Sequence, residues 1–483
     1  MNTPIRRLAV LAAALFSLLL VSSTWIQALG ADGLRERPGN RRTLLDSYNR
    51  ERGQILMDGN PIARSVPADT ELKWKRVYAQ PELYSHITGF QSFIYGAGGG
   101  IEGASDAYLS GRANDLFYER LTDQLTGKTP TGASVELTLN PHAQKAAEQA
   151  LGNQRGAVVA LDPRSGAILA MVSHPNYNPS RLASQTEGVA TRAWKQYNSD
   201  PTQPLQNRAI SRLYPPGSTY KVVVAAAAID SGKYTKDSTI PGPAKLKLPL
   251  TTTTLPNSHP GACSPTGKVS LLVALEESCN TAFGWLGMRL GEDQMRAAAE
   301  KFGFNQQIDV PMTAAASVFP ATIDQPGLAL AGIGQGNVQS TPLQMAMVSA
   351  AVANDGEVMK PFLVEAVRAA DLTEIERTMP SVLSRAMKSS TAEQLNTMMQ
   401  AVVTTGTGTP AQIPGVQVAG KTGTAEHGKG AAPHAWFTGF APANDPKVAV
   451  AVVVEDGGSA GTEAYGGKVA GPIAKAVMEA VLR

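Results

Sequence analysis

The chain has 483 residues, with 43 Lys and Arg against 40 Asp and Glu, a formal charge of +3. That balance excludes the strongly basic surface of a nucleic-acid binder, and 43% apolar with 17% charged residues excludes a disordered chain. Two cysteines, Cys263 and Cys279, exclude a Cys-rich metal fold and a disulfide-framework mini-protein.

The six histidines, His86, His142, His174, His259, His427 and His434, are scattered. No H-E-x-x-H, C-x-x-C or P-loop occurs. No metal and no cofactor is therefore expected. At roughly 100–200 residues per domain, the length suggests two to four domains.

Leu8 to Leu29 carry no charge and span about 33 Å as a helix, enough for the roughly 30 Å hydrocarbon core. Arg6 and Arg7 precede the run, as on a cytoplasmic side, although Arg35, Arg37, Arg41 and Arg42 follow it. A transmembrane anchor is the favoured reading. A signal peptide with its small-residue site at Ala28 and Gly30 is the alternative. Either places the remaining chain outside the cytoplasm.

Residues 31–50 read as a juxtamembrane linker or a first strand. Gln54–Met57 and Pro61–Ala63 flank Asp58-Gly59, a hairpin signal. The glycine run 96–100 reads as a flexible connector. Ser134–Leu139 alternates like a strand, and Asn140 with Pro141 opens a helix to about Leu151. Gly156–Leu161 and Gly166–Val172 form a second hairpin pattern, and 173–213 is polar and turn-rich. After Tyr214-Pro215-Pro216-Gly217, residues Ser218–Ile229 read as one helix, apolar all round and hence buried. Leu271–Leu290, Gln344–Ala353, Ala392–Val403 and Gly471–Leu482 also read helical, and Trp436–Phe440 and Val448–Glu455 as strands. The pattern is mixed α+β: a domain of roughly 330 residues behind a smaller one of roughly 100.

Ser218-Thr219-Tyr220-Lys221 is S-x-x-K at a helix start. Residues i and i+3 share a helix face, so hydroxyl and amine can meet without another element. The first turn offers free N–H groups and a positive dipole end to a developing oxyanion. An apolar helix can desolvate Lys221, so that a neutral amine acts as base. Ser278-Cys279-Asn280 is S-x-N, equally readable as a helix-connecting loop or cap, and Ser47-Tyr48-Asn49 repeats the pattern. Lys421-Thr422-Gly423-Thr424 reads as a strand with Lys421 and Gly423 on one side, or else as a solvated turn. Together the three motifs supply a nucleophile with its base, a second hydroxyl, an amide and a cation beside donors.

This motif set resembles that of the penicillin-binding transpeptidases. Arg52-Gly53-Gln54-Ile55, Tyr84–Gly89 and Gly100-Ile101-Glu102 resemble boxes of the non-catalytic module of class B members. Gly332–Gly336, Thr404–Thr409 and Trp436–Pro442 are also similar to class B stretches. The short pedestal is most similar to the small actinobacterial type. Two departures stand out: no arginine lies between Asp58 and Gly59, and Cys279 is the middle residue of S-x-N.

The resemblance implies a cytoplasmic tail 1–7, an anchor 8–29, a pedestal or dimerisation-type domain 30–150 and a transpeptidase domain 151–483. That last domain would have a central antiparallel sheet flanked by helices plus an all-helical lobe. It further implies that Ser218 attacks the penultimate D-Ala of a peptidoglycan stem peptide and that Lys221 takes its proton. Ser278 and Lys421 would serve the leaving group, Asn280 the substrate amide, and Thr422 and Thr424 the terminal carboxylate, while Gly423, lacking a side chain, lets a substrate backbone approach. β-Lactams would acylate Ser218. Expected partners are stem peptides, β-lactams, the membrane, division or elongation proteins, or a second copy through the pedestal, and no nucleic acid. A D,D-carboxypeptidase, a β-lactamase-like hydrolase, and an idle division scaffold or β-lactam sensor stay open as alternatives. For Cys263 and Cys279 a disulfide is favoured over two buried thiols, and geometry decides. For Glu426, His427 and His434 a surface loop is favoured over lining the cleft, and His86 reads as structural.

Overall fold

The structure, a computed structural model, describes residues 2–29, 48–70, 72–116, 126, 131–371, 373–428 and 430–483. The helix α1 (Asn2–Thr24) runs into a π-helical turn at Trp25–Leu29. Its stretch Thr3–Gln27 is long and apolar enough to cross a membrane, with mean hydropathy 2.1. Most of the linker 31–50, with Arg35, Arg37, Arg41 and Arg42, lies outside the described residues.

In chain order the strands of the two larger sheets are β1 (Ile55–Met57), β2 (Asn60–Pro67), β3 (Trp74–Tyr78), β4 (Ser134–Leu137), β5 (Gly156–Leu161), β6 (Ile168–His174), β7 (Val364–Arg368), β8 (Glu374–Arg377), β9 (Ala419–Ala425), β10 (His434–Ala441) and β11 (Val448–Val454). The first sheet has the order β8-β7-β4-β1-β2-β3. The β1–β2 turn places Asp58 and Gly59 at positive φ, as a two-residue hairpin requires. Parallel pairing sets Ile55 beside Val135, and β7 brings Val367 antiparallel to Val135. The second sheet, β9-β10-β11-β5-β6, is antiparallel throughout.

The principal helices are α2 (Pro141–Leu151), α3 (Lys221–Asp230), α4 (Asn280–Lys301), α5 (Pro342–Ala353), α6 (Ser389–Thr404) and α7 (Gly466–Leu482). Asn140 caps α2, its side chain accepting from the Ala143 N–H at 2.9 Å. The strand β11 is apolar at every position because both faces are covered. Val448, Val450, Val452 and Val454 pack with α2 and α7, while Ala449, Ala451 and Val453 join the larger core around α3 and α5.

Four expectations need correction. The glycine run is no loose connector: Gly96–Gly98 pairs with Phe90–Ser92, and Gly100–Ala104 is helical. A Cβ on Gly100 would stand 2.3 Å from the Gly89 nitrogen, so glycine here serves close packing of backbones. The polar stretch 173–213 contains a helix, Val189–Ser199, whose buried Ala190, Ala193 and Tyr197 carry the helical period. The helix expected from Ser218 begins with a 3₁₀ turn, Gly217–Tyr220, before α3. The helix expected over 271–290 is two, Leu271–Glu276 and α4, broken at Ser278 with φ +60°. There the Cys279 N–H donates to the Ala274 oxygen at 2.8 Å, a Schellman-type closure with serine where glycine usually stands.

Candidate active site

Ser218 lies half-buried in the 3₁₀ turn that the Pro-Pro-Gly breaker creates. Gly217 makes that turn possible: its φ is +54°, its N–H donates to the Gly334 oxygen at 2.9 Å, and a Cβ there would stand 2.8 Å from the Thr424 oxygen. A Cβ on Gly423 would meet the Pro216 oxygen at 3.0 Å. The two glycines let β9 close against the serine turn, so the S-x-x-K and K-T-G-T segments, far apart in sequence, lie against each other.

Lys221, the first residue of α3, is fully buried. Its Nζ lies 2.7 Å from the Ser278 oxygen, 3.2 Å from Ser278 Oγ and 2.8 Å from Asn280 Oδ1. The S-x-N segment therefore surrounds the amine. Burial, followed by the positive charge of Lys421, holds the Lys221 ammonium well below the usual lysine range. Lys421 on β9 is also fully buried, and burial lowers it to about 7. Its Nζ donates to the Thr422 oxygen at 3.1 Å. Lys421 and Gly423 share one side of the strand, Thr422 and Thr424 the other, and Thr424 is exposed.

The structure thus brings Ser218, Lys221, Ser278, Asn280 and the K-T-G-T strand into one place. Two further residues join them that carried no site role in the sequence. The Thr407 and Thr422 hydroxyls are 2.7 Å apart, and Ser258 Oγ accepts from Asn280 Nδ2 at 3.3 Å. Thr407 belongs to the Thr404–Thr409 run, whose glycine-threonine texture is a usable signal; Ser258 has none. Of the second S-x-N, Tyr48 is buried in the first sheet's domain, donating to the Gln91 oxygen, and Ser47 lies outside the described residues.

Cys263 and Cys279 form a disulfide, with Cα atoms 5.9 Å apart. It ties the loop after Asn257 to the S-x-N break.

Beyond β9 the arrangement departs from expectation. His434 is not on a surface loop: it opens β10 opposite Ala425 and is buried, which lowers it to about 4. Its ring stacks on that of His427, centroids 3.7 Å apart. Donor atoms of His427, His434 and Asp456 all lie within 4.8 Å of one another, so the scattered histidines do yield a cluster of metal-ligating type. Sequence separation hid it. Glu426 is exposed. His86 is buried, its Nε2 2.8 Å from the Pro204 oxygen, and burial lowers it to about 4.

Behind the site, Glu455 is buried and accepts from Tyr214 Oη at 2.7 Å, Arg208 Nε at 2.9 Å and Arg155 at 2.5 Å. Burial would raise this carboxyl, but the Tyr214 hydrogen bond and the charges of Arg208, Arg212 and Arg155 hold it below its ordinary value. The network anchors Tyr214, four residues before Ser218.

Residues 156–479 match the family model of the penicillin binding protein transpeptidase domain, and 52–135 that of the penicillin binding protein A dimerisation domain. The chain is 44% identical to the peptidoglycan D,D-transpeptidase PbpA of Mycolicibacterium smegmatis, over all of this chain and 99% of that protein. It is 42% identical to the PbpA of Mycobacterium tuberculosis over the same shares. Penicillin-binding protein A from M. tuberculosis, solved as a ceftriaxone acyl-enzyme complex, superposes with a TM-score of 0.88 at 42% identity, covering 91% of this chain and 100% of that one. The same protein as a penicillin G acyl-enzyme complex gives a TM-score of 0.86, covering 90% and 100%. Motifs, two-sheet architecture and full-length likeness agree, and the chain belongs to the class B penicillin-binding proteins.

Proposed function

We propose that the protein is a membrane-anchored peptidoglycan D,D-transpeptidase working through a Ser218 acyl-enzyme. One observation carries the reading: a fully buried amine, Lys221, sits one turn after Ser218 in contact with both polar residues of S-x-N. An amine with a depressed pKa can accept a proton at neutral pH. Ser218 Oγ attacks the penultimate D-Ala carbonyl of a stem peptide and its proton passes to Lys221. The N–H groups of Ser218 and Thr424 hold the oxyanion. The terminal D-Ala leaves with a proton relayed through Ser278, aided by Lys421. An amine of a neighbouring stem then attacks the ester and frees Ser218. Asn280 holds the substrate amide, and Thr422 and Thr424 hold the terminal carboxylate; Gly423 serves the closure of β9 on the serine turn, since Pro216 and Trp436 fill the space a side chain there would take. β-Lactams acylate Ser218 by the same attack; the acyl-enzyme complexes of the M. tuberculosis relative support this.

The partition follows the sequence reading: tail 1–7, anchor 8–29, pedestal 30–150 and catalytic domain 151–483, with Arg6 and Arg7 cytoplasmic and the rest extracytoplasmic. The match of 52–135 to a dimerisation-domain model supports self-association through the pedestal, beside division or elongation partners.

The test is to label the detergent-solubilised full chain with a fluorescent penicillin and map the label by mass spectrometry. Stable label on the Ser218 peptide, absent in Ser218→Ala, is the expected result. Rapid loss of label would indicate a hydrolase. Absence of label on folded protein would overturn the catalytic reading.

A further inference from the structure

The cluster beyond β9 is not used by the chemistry above. His427 lies in the β9–β10 hairpin loop, His434 opens β10, and Asp456 follows β11 at φ +52°. His427 Nε2 is 2.9 Å from Asp456 Oδ1 and 2.9 Å from the Ala432 oxygen. A nitrogen between two oxygens must carry a proton, so one proton occupies a position that three lone-pair groups converge on. His434 Nδ1 accepts the Asp456 N–H at 3.2 Å, which leaves that nitrogen unprotonated, and it lies 3.9 Å from Asp456 Oδ1. The other carboxylate oxygen, Oδ2, faces Arg155 Nη1 at 3.6 Å, which holds Oδ1 toward the imidazoles.

We infer that His427, His434 and Asp456 form a binding site for a divalent transition-metal ion of the zinc type. Two imidazoles and one carboxylate are a three-ligand set that leaves a fourth position for water. At metal–ligand distances of about 2.0–2.2 Å, tetrahedral donors stand about 3.3 Å apart. The separations of 2.9 and 3.9 Å bracket that value. The ion takes the place of the His427 Nε2 proton, which shifts by way of solvent to Nδ1 so that the imidazole stays neutral, and it takes the His434 Nδ1 lone pair from the Asp456 amide. The stacked rings must open for both nitrogens to aim at one centre, and His427, in the exposed hairpin loop, is the ring that turns. Bound there, the ion ties the loop after the K-T-G-T strand to the segment after β11.

The probe is Zn²⁺ itself. The EDTA-stripped full chain in detergent is dialysed against graded Zn²⁺ and the bound metal counted by mass spectrometry. One ion per chain is expected. His427→Ala and Asp456→Asn should each weaken binding more than roughly tenfold, since even outer-sphere partners are worth that much. His259→Ala, at an exposed histidine elsewhere, should leave it unchanged. Co²⁺ should give the visible absorption of a four-coordinate site in the parent chain and lose it in His427→Ala. His427 is in an exposed loop, so a thermal melt like the parent's shows that the variant is folded. No bound zinc, zinc binding unaffected by His427→Ala, or equal weakening in His259→Ala overturns the inference.

Discussion

The amine of Lys221 donates to the main-chain oxygen of Ser278 at 2.7 Å, across 57 residues of sequence. This contact exists because Ser278 adopts φ +60° and turns its carbonyl inward where one helix ends and the next begins. Lys221 is thereby coupled to the helix break, and the desolvation that makes it a base is imposed by tertiary packing around α3.

Replacing Lys221 should separate stability from activity. Lys221→Met keeps side-chain length and removes an amine that burial disfavours in its charged form. Penicillin acylation should fall by roughly a hundredfold or more, the size of a general-base contribution, while the melting temperature stays level or rises. Acylation at the parent rate would remove Lys221 from the mechanism.

The pH dependence of acylation should report the lysine pair. Burial is the larger cause of the low Lys221 pKa and the Lys421 charge the next. Lys421→Met removes only the second, so Lys221 should hold its proton to higher pH. The acid limb of the acylation profile should move to higher pH, and a shift the other way would contradict the pairing. Lys421 itself has its pKa lowered to about 7 from 10.5. Between those values the unfolded chain binds the proton that the folded chain has lost, so this residue makes stability rise with pH across that window.

Gly217→Ala tests the closure of β9 on the serine turn. The added methyl meets the Thr424 oxygen at 2.8 Å, and φ is +54°. A left-handed strained residue costs about 1–3 kcal/mol, so chemical denaturation should register a loss of that order. Acylation should slow as well, because relief of the clash moves Ser218 away from Thr424.

Glu455→Gln should leave Arg208, fully buried, without its counter-charge. Breaking a buried pair on one side costs about 3–5 kcal/mol, and a drop toward that size in unfolding free energy is expected. In the parent chain the carboxyl is held below 4.5 in the folded state. Its contribution is therefore complete above the unfolded pKa and is lost as pH falls through the lower folded value. A variant as stable as the parent at neutral pH would show that the network is not energetically coupled.

Local periodicity makes part of this protein legible before any fold is known. The i, i+3 spacing of Ser218 and Lys221, the all-apolar helix after them, the alternation in Ser134–Leu137, the cap at Asn140 and the paired glycine and lysine positions of K-T-G-T are readable because helix and strand geometry repeat over a few residues. The three motifs group by the chemical parts they supply together, and the resemblance assigns each its role. The distances that make them a site depended on long-range packing: Lys421 beside Lys221, the Ser278 carbonyl against the amine, and Thr407 against Thr422. The same holds for β7 and β8, late segments that extend a sheet begun by residues 55–78, and for His427, His434 and Asp456, which three separate strand ends bring together. Strand order and the meeting of strand ends are decided by which apolar faces cover one another, and that choice is made between distant segments, where local periodicity carries no information.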